Sequence, residues 1–196
     1  MAEIKPRYEF RIWSESLTPL QKKLEAMALA RETKSQETYL ISAVTDKCNA
    51  KIRAELMDIK VLIAEDRALE QWKPIMKSGF PLDSAVIAEQ VFPSLQLPAP
   101  KLVKAEYSMD EFVSEVVSKE PKIAVVDVTK TRYQFNIGVC ASEYSNITIN
   151  KVPRDTVAVE STDPDAVLEL VRELGINEPN VSYIREIRRI LGWEAA

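Results

Sequence analysis

The chain has 196 residues, 46% of them hydrophobic and 29% charged, with a net charge of −4, which suits one folded domain with a full core. The acidic balance argues against a broad nucleic-acid or anionic-membrane surface. No apolar run nears the ~20 residues of a spanning helix, and residues 1–6 lack the apolar stretch of a secretion signal, so a cytoplasmic location is expected.

Histidine is absent, which excludes Ser-His and Cys-His nucleophile pairs, histidine zinc sites and imidazole bases. The four glycines assemble neither a phosphate loop nor a dinucleotide fingerprint. Cys48 and Cys140 lie far apart and are expected to be reduced, packed thiols.

Residues 7–13 read as a strand. Alternation puts Glu9 and Arg11 on one face and Tyr8, Phe10 and Ile12 on the other. Thr18-Pro19-Leu20-Gln21 reads as a helix start, with threonine as the cap, proline at the first helical position and glutamine completing a capping box. Leu17, Leu20, Leu24 and Met27 form its apolar stripe. A second strand covers 38–44. After Thr45-Asp46-Lys47 a third, 49–54, sets Cys48, Ala50, Ile52 and Ala54 against Asn49, Lys51 and Arg53. A fourth, 57–63, sets Met57, Ile59, Val61 and Ile63 against Asp58 and Lys60. Strands this close pair antiparallel.

Residues 69–75 are extended and ended by Pro74, and a short helix follows near 83–91. The segment 92–101, with Pro93, Pro98 and Pro100, reads as a connector between the halves of a single 1–196 domain. Ser108-Met109-Asp110-Glu111 is a second capping box, opening a helix to about 118 with Phe112, Val113, Val116 and Val117 inward. The strand chemistry then repeats: 122–135 ends with Lys130 and Arg132 on one face, 138–150 alternates through Glu143, Ile147 and Ile149, and 156–161 carries Glu160. A C-terminal helical pair spans 163–192. Its first helix starts at Asp163-Pro164, buries Val167, Leu170, Val171 and Leu174, and ends at Gly175. Its second, about 182–191, buries Ile184, Ile187 and Leu191 and turns Arg185, Arg188 and Arg189 outward.

Lys51 and Arg53, like Lys130 and Arg132, are i, i+2 pairs that share a strand face. Arg11 and Lys60 add single cations on two more strands. A solvated sheet face would explain any one of them. Four such strands in a net-acidic chain read instead as walls of one polar cavity, with Glu9, Asp58, Glu143 and Glu160 placed to offset the cations. Arginine forks and lysine ammonium groups suit phosphate oxygens. Interleaved carboxylates suit a hard divalent cation bridging protein to phosphate.

In order and spacing these residues resemble the CYTH proteins, or triphosphate tunnel metalloenzymes, over nearly the whole chain. The resemblance rests on Tyr8-Glu9-Phe10-Arg11, Glu37-Thr38-Tyr39, Lys51-Ile52-Arg53, Asp58-Ile59-Lys60 and Leu69-Glu70-Gln71-Trp72. It continues through Lys130-Thr131-Arg132, Cys140-Ala141-Ser142-Glu143, Val157-Ala158-Val159-Glu160-Ser161 and the tail Asn180-Val181-Ser182-Tyr183. It implies an α+β fold: a closed eight-stranded antiparallel β-barrel, the tunnel, with helices packed outside. It also implies phosphate binding by Arg11, Lys51, Arg53, Lys60, Lys130 and Arg132. Glu9, Glu143 and Glu160 would be catalytic acids, with Mg2+ or Mn2+ on Glu9 and Glu160.

The implied activity is metal-dependent hydrolysis of inorganic triphosphate or a nucleoside triphosphate. The implied partner is a small polyanion, neither nucleic acid nor membrane, with a homodimer left open. Two departures bear on the metal. Arg7 stands where the family's first strand carries a glutamate, and Ala158 replaces one acid of the later Glu-x-Glu pair. Half of each acid pair is missing. The alternative is a non-catalytic polyphosphate- or nucleotide-binding protein on the same tunnel. A third reading is an interaction or structural protein whose tunnel is filled by its own salt bridges.

Overall fold

A computed structural model describes residues 5–194; residues 1–4, where the reading of the amino-terminal segment begins, lie outside them. The strands are β1 (Arg7–Ser14), β2 (Arg31–Ser42), β3 (Cys48–Arg53), β4 (Leu56–Asp66), β5 (Leu69–Gly79), the short β6 (Leu82–Asp83) and β7 (Glu106–Tyr107), β8 (Ile123–Ile137), β9 (Cys140–Ile149) and β10 (Val152–Ser161). The helices are α1 (Thr18–Met27), the helical runs α2 (84–94) and α3 (109–119), α4 (Pro164–Leu174) and α5 (Tyr183–Ile190). Eight strands close into an antiparallel barrel in the order β1-β10-β9-β8-β2-β3-β4-β5, and β5 returns to β1. The small β6–β7 sheet stands apart.

Alternation along the strands decides the barrel's two faces. Outward Cys48, Ala50, Ile52, Met57 and Ile59 pack under α2 and α3, against Phe92, Leu95, Phe112 and Val117. Outward Phe10, Ile12, Val157 and Val159 pack under α1 and α4, against Leu24, Val167, Leu170 and Leu174. Both cysteines are free and buried in these layers. The third cluster lies inside the barrel. There Tyr39, Ile41, Val126, Val128, Ile147 and Ile149 meet Tyr183, Ile184 and Ile187 of α5. That helix therefore fills one end of the barrel, and the lumen is a one-ended cavity.

Several elements depart from their sequence signals. β2 begins at Arg31, seven residues before the expected 38, and pairs with β8 along its whole length, from Arg31↔Gln134 to Ser42↔Ile123. That polar stretch has no apolar alternation, so only the partner strand defines it. β5 runs through Pro74 to Gly79 rather than ending there. The register jumps from Ile59↔Met76 to Lys60↔Pro74, so Ile75 is the extra residue of a bulge, where proline's missing N–H is tolerated. A second bulge skips Ile63 and leaves it exposed rather than in line with Met57 and Ile59. The first residue outside α1 is Leu17 rather than Thr18, and no side chain among the described residues caps the helix. The Ser108–Glu111 capping box forms with both its bonds.

Arg185 and Arg188 do not point into solvent as expected. Arg185 reaches Asp46 at 2.9 Å, Glu65 at 2.9 Å and Glu70 at 3.2 Å. Arg188 donates to the Ser42 and Thr45 carbonyls. The strand ends at the barrel rim thus hold α5 in place. The seam beside it is short, because β1 pairs with β5 only over Arg7–Glu9. Beyond that, the chain before α5 takes over: Arg11 N–H donates to Asn180 Oδ1 at 2.8 Å, and Val181 N–H donates to the Arg11 carbonyl at 2.8 Å. These bonds satisfy backbone groups of β1 that the barrel leaves unpaired.

Candidate functional site

The lumen side of each strand changes from apolar to charged along its length. β8 reads Val126, Val128, Lys130, Arg132 and Gln134 at alternate positions, apolar at the α5 end and basic beyond it. The polar part of the lumen encloses about 270 Å³, slightly below the usual size for drug-sized ligands and suited to a smaller one. Arg11, Lys51, Arg53, Lys60, Lys130 and Arg132 all line it, together with Glu9, Glu143 and Glu160. Among the described residues, Arg7 makes the lining basic side chains seven against three lining acids. Asp58, opposite Lys51 in the β3–β4 register, is not among the lining residues. A larger and more open groove of about 600 Å³ is bordered by Thr129, Thr131, Asn146 and Thr148. These alternate with the lumen residues and so belong to the outer face; volume alone does not pick the site.

Two buried networks order the cations. At the first, Glu37 is fully buried and lies 2.8 Å from Lys130, 3.2 Å from Lys51 and 3.5 Å from Arg53. Burial alone would raise its carboxyl pKa, but Lys130 and Lys51 hold it well below the ordinary range. Lys130 also donates to the Tyr39 hydroxyl at 3.0 Å. Burial, aided by Lys51, pulls the Lys130 ammonium down to about 7 in spite of Glu37. At the second network Arg11 donates to Glu9 at 2.8 Å and to Thr156 at 3.1 Å, and lies 3.8 Å from Glu143. Glu143 pairs with Arg132 at 3.0 Å and accepts from Ser145 at 2.8 Å. Burial would raise Glu9 and Glu143; Arg11, joined by Arg132 at Glu143, outweighs it and lowers both.

Glu160 is different. It lies directly opposite Glu9 across the β1–β10 pair, and among the described residues its nearest cation, Arg7, is 3.9 Å away at the exposed mouth. Burial and the Glu9 charge push its carboxyl up to about 7, against Lys60 and Arg11.

A divalent ion held by the protein needs several oxygen ligands. Among the described residues no three Asp, Glu or Cys side chains gather closely enough to hold one. Each candidate acid already has an arginine: Glu9 has Arg11, Glu143 has Arg132, and Glu160 has Arg7. Ala158, opposite Arg11 in the register, adds no oxygen. These residues do not fit a resident Mg2+ or Mn2+ ion.

Reasoning from the sequence missed Glu37, Tyr39 and Tyr183 as parts of the site. Glu37 and Tyr39 share a face by the i, i+2 rule, but starting β2 at residue 38 hid that relationship. Tyr183 reaches the lumen from a helix, so no strand alternation could reveal it. Its ring stacks on Tyr39 with centroids 5.7 Å apart and meets Trp13 edge-on at 4.8 Å.

No family model matches the sequence, nor does any curated protein. Solved structures do match. The PH1819 protein of Pyrococcus horikoshii OT3 is 13% identical, with a TM-score of 0.54 over 93% of this chain and 99% of that one. A conserved hypothetical protein of Pyrococcus furiosus is 16% identical, with a TM-score of 0.52 over 91% and 97%. HpAC1 of Hippeastrum, whose structure was described with a dominant triphosphatase activity, is 12% identical, with a TM-score of 0.50 over 95% and 96%. At such identities what is shared is the fold, here the closed eight-stranded antiparallel barrel with helices packed outside.

Proposed function

We propose that the chain binds a short polyphosphate in its one-ended cavity, either inorganic triphosphate or the triphosphate arm of a nucleotide. The observation that carries this reading is the charge imbalance of the lumen, where among the described residues seven basic side chains face three lining acids and the buried Glu37 in a small enclosed space. Such a cavity is stabilised by an anion with several charges close together. Arg11, Lys51, Arg53, Lys60, Lys130 and Arg132 are the phosphate-binding residues in this account, with the guanidinium forks suited to pairs of phosphate oxygens. The triphosphatase activity described for HpAC1, a protein of the same fold, supports the ligand class.

Hydrolysis of the bound triphosphate is a second reading, favoured by the Glu9–Glu160 pair. With its pKa near 7, Glu160 exchanges a proton close to neutrality, which suits activation of water or protonation of a departing phosphate. Glu9 and Glu143 would then position Arg11 and Arg132 on the phosphates. A thermal melt with and without inorganic triphosphate tests binding, and a rise of several degrees is expected. Phosphate release, assayed with and without added Mg2+ or Mn2+, separates the two readings: stabilisation without release leaves a binding protein, and release makes it a hydrolase. Absence of both overturns the proposal.

A further inference from the structure

Tyr183 is the first residue of α5 and lines the closed end of the cavity. Its ring carries two of the cavity's cations: the Lys130 ammonium lies 4.1 Å and the Arg11 guanidinium carbon 4.4 Å from the ring centroid. Trp13 and Tyr39 fix the ring from other sides. Its hydroxyl, however, is buried and has no hydrogen-bond partner among the described residues. Such groups are rare in folded proteins, because the lost water is normally replaced by another partner. The neighbouring Tyr39 shows the contrast, since its hydroxyl accepts from Lys130 at 3.0 Å.

We infer that Tyr183 is a ligand-binding residue, whose hydroxyl donates to the innermost phosphate oxygen of the bound polyphosphate. The inference rests on the proposed polyphosphate reading and adds to it a donor that is neutral and sits at the floor. Arg11 and Lys130, placed against the same ring, would bring a phosphate to this depth. Burial keeps the phenol protonated far above neutral pH, so it remains a donor. An uncharged donor beside two cations completes the shell around a phosphate oxygen without adding to the repulsion that the empty cavity must bear. Because α5 bears Tyr183 and closes the barrel, the innermost phosphate would touch the closing element itself, and the depth of the cavity would set how many phosphates fit below the mouth.

Tyr183→Phe keeps the ring, its stacking and both cation contacts and removes only the hydroxyl. The test is calorimetric titration of the wild type and this variant with inorganic triphosphate, with a thermal melt of each free protein. The expected result is an unchanged free melting temperature and roughly tenfold weaker binding. Wild-type binding with equal affinity in the variant overturns the role of Tyr183 and leaves the polyphosphate reading standing. Absence of wild-type binding overturns both. If the free variant melts several degrees lower, the hydroxyl serves the fold rather than the ligand, and the inference fails.

Discussion

The Glu37 carboxylate lies 2.8 Å from the Lys130 ammonium, and neither side chain is open to solvent. With Lys51 and Arg53 on the same carboxylate, one internal acid stands where a bound anion would otherwise neutralise three cations. That arrangement makes the empty cavity tolerable. Removing one partner of a buried ion pair commonly costs about 3–5 kcal/mol, because the other charges stay buried without compensation. Glu37→Gln is therefore expected to lower the melting temperature of the free protein by many degrees and to enlarge the stabilisation given by triphosphate. A free protein that melts unchanged would show that Glu37 is not the counter-ion.

Lys130 should couple binding to pH. Its pKa is about 7 in the free protein, so above pH 7 most molecules carry it neutral. A polyanion favours the charged form and raises that pKa, so binding at pH 8 takes up close to one proton. Affinity accordingly weakens as pH rises past 7. Titration calorimetry in two buffers of different ionisation enthalpy measures the uptake directly; zero protons at pH 8 would contradict the assignment.

Glu160 should couple the fold to pH in the opposite sense from a salt-bridged acid. Its folded pKa, about 7 against an ordinary 4.5, means that the native state binds the extra proton between those values. Stability therefore falls as pH rises through that window. Glu160→Gln removes the repulsion with Glu9 and should stabilise the free protein by about 1–2 kcal/mol at pH 8. At pH 4 it should give little. Melts across pH 4–8 that keep the wild-type slope would exclude this role.

Three tight hairpins turn on pairs of non-glycine residues in the left-handed region: Ala54-Glu55, Arg67-Ala68 and Asn150-Lys151. The first joins β3 to β4 and sets the register that aligns Lys51 and Arg53 with the lumen. Ala54 has φ 49°, a conformation that glycine adopts without the Cβ clash. Ala54→Gly should raise stability by about 0.5–1 kcal/mol in a denaturant melt; a loss of stability would show that the turn is relaxed.

Much of this was legible in the sequence wherever a local signal and its environment agree. Glu9 and Arg11 on one face of β1, the Lys51/Arg53 and Lys130/Arg132 pairs, the Ser108 capping box and the Asp163–Gly175 helix all follow from alternation or capping within a few residues. What escaped notice depends on partners distant in the chain. The polar half of β2 is a strand because β8 runs beside it, and Glu37 entered the site with it. The bulges at Ile75 and Ile63 are register events between β4 and β5. Arg185 and Arg188 read as a solvated helix face, because nothing in the helix itself shows that the barrel rim surrounds them. Tyr183 is the extreme case, a lumen residue contributed by the closing helix.

In the proposed function the lumen cations bind polyphosphate. The most direct measurement of this is the equilibrium affinity for inorganic triphosphate of the wild type and of a Lys51→Ala, Arg53→Ala double variant, each followed by calorimetry at fixed salt. Lys51 and Arg53 together line the cavity and share Glu37. The expected result is saturable wild-type binding at one site per chain, and a loss of at least a hundredfold in the double variant. Equal binding by the two proteins would contradict it.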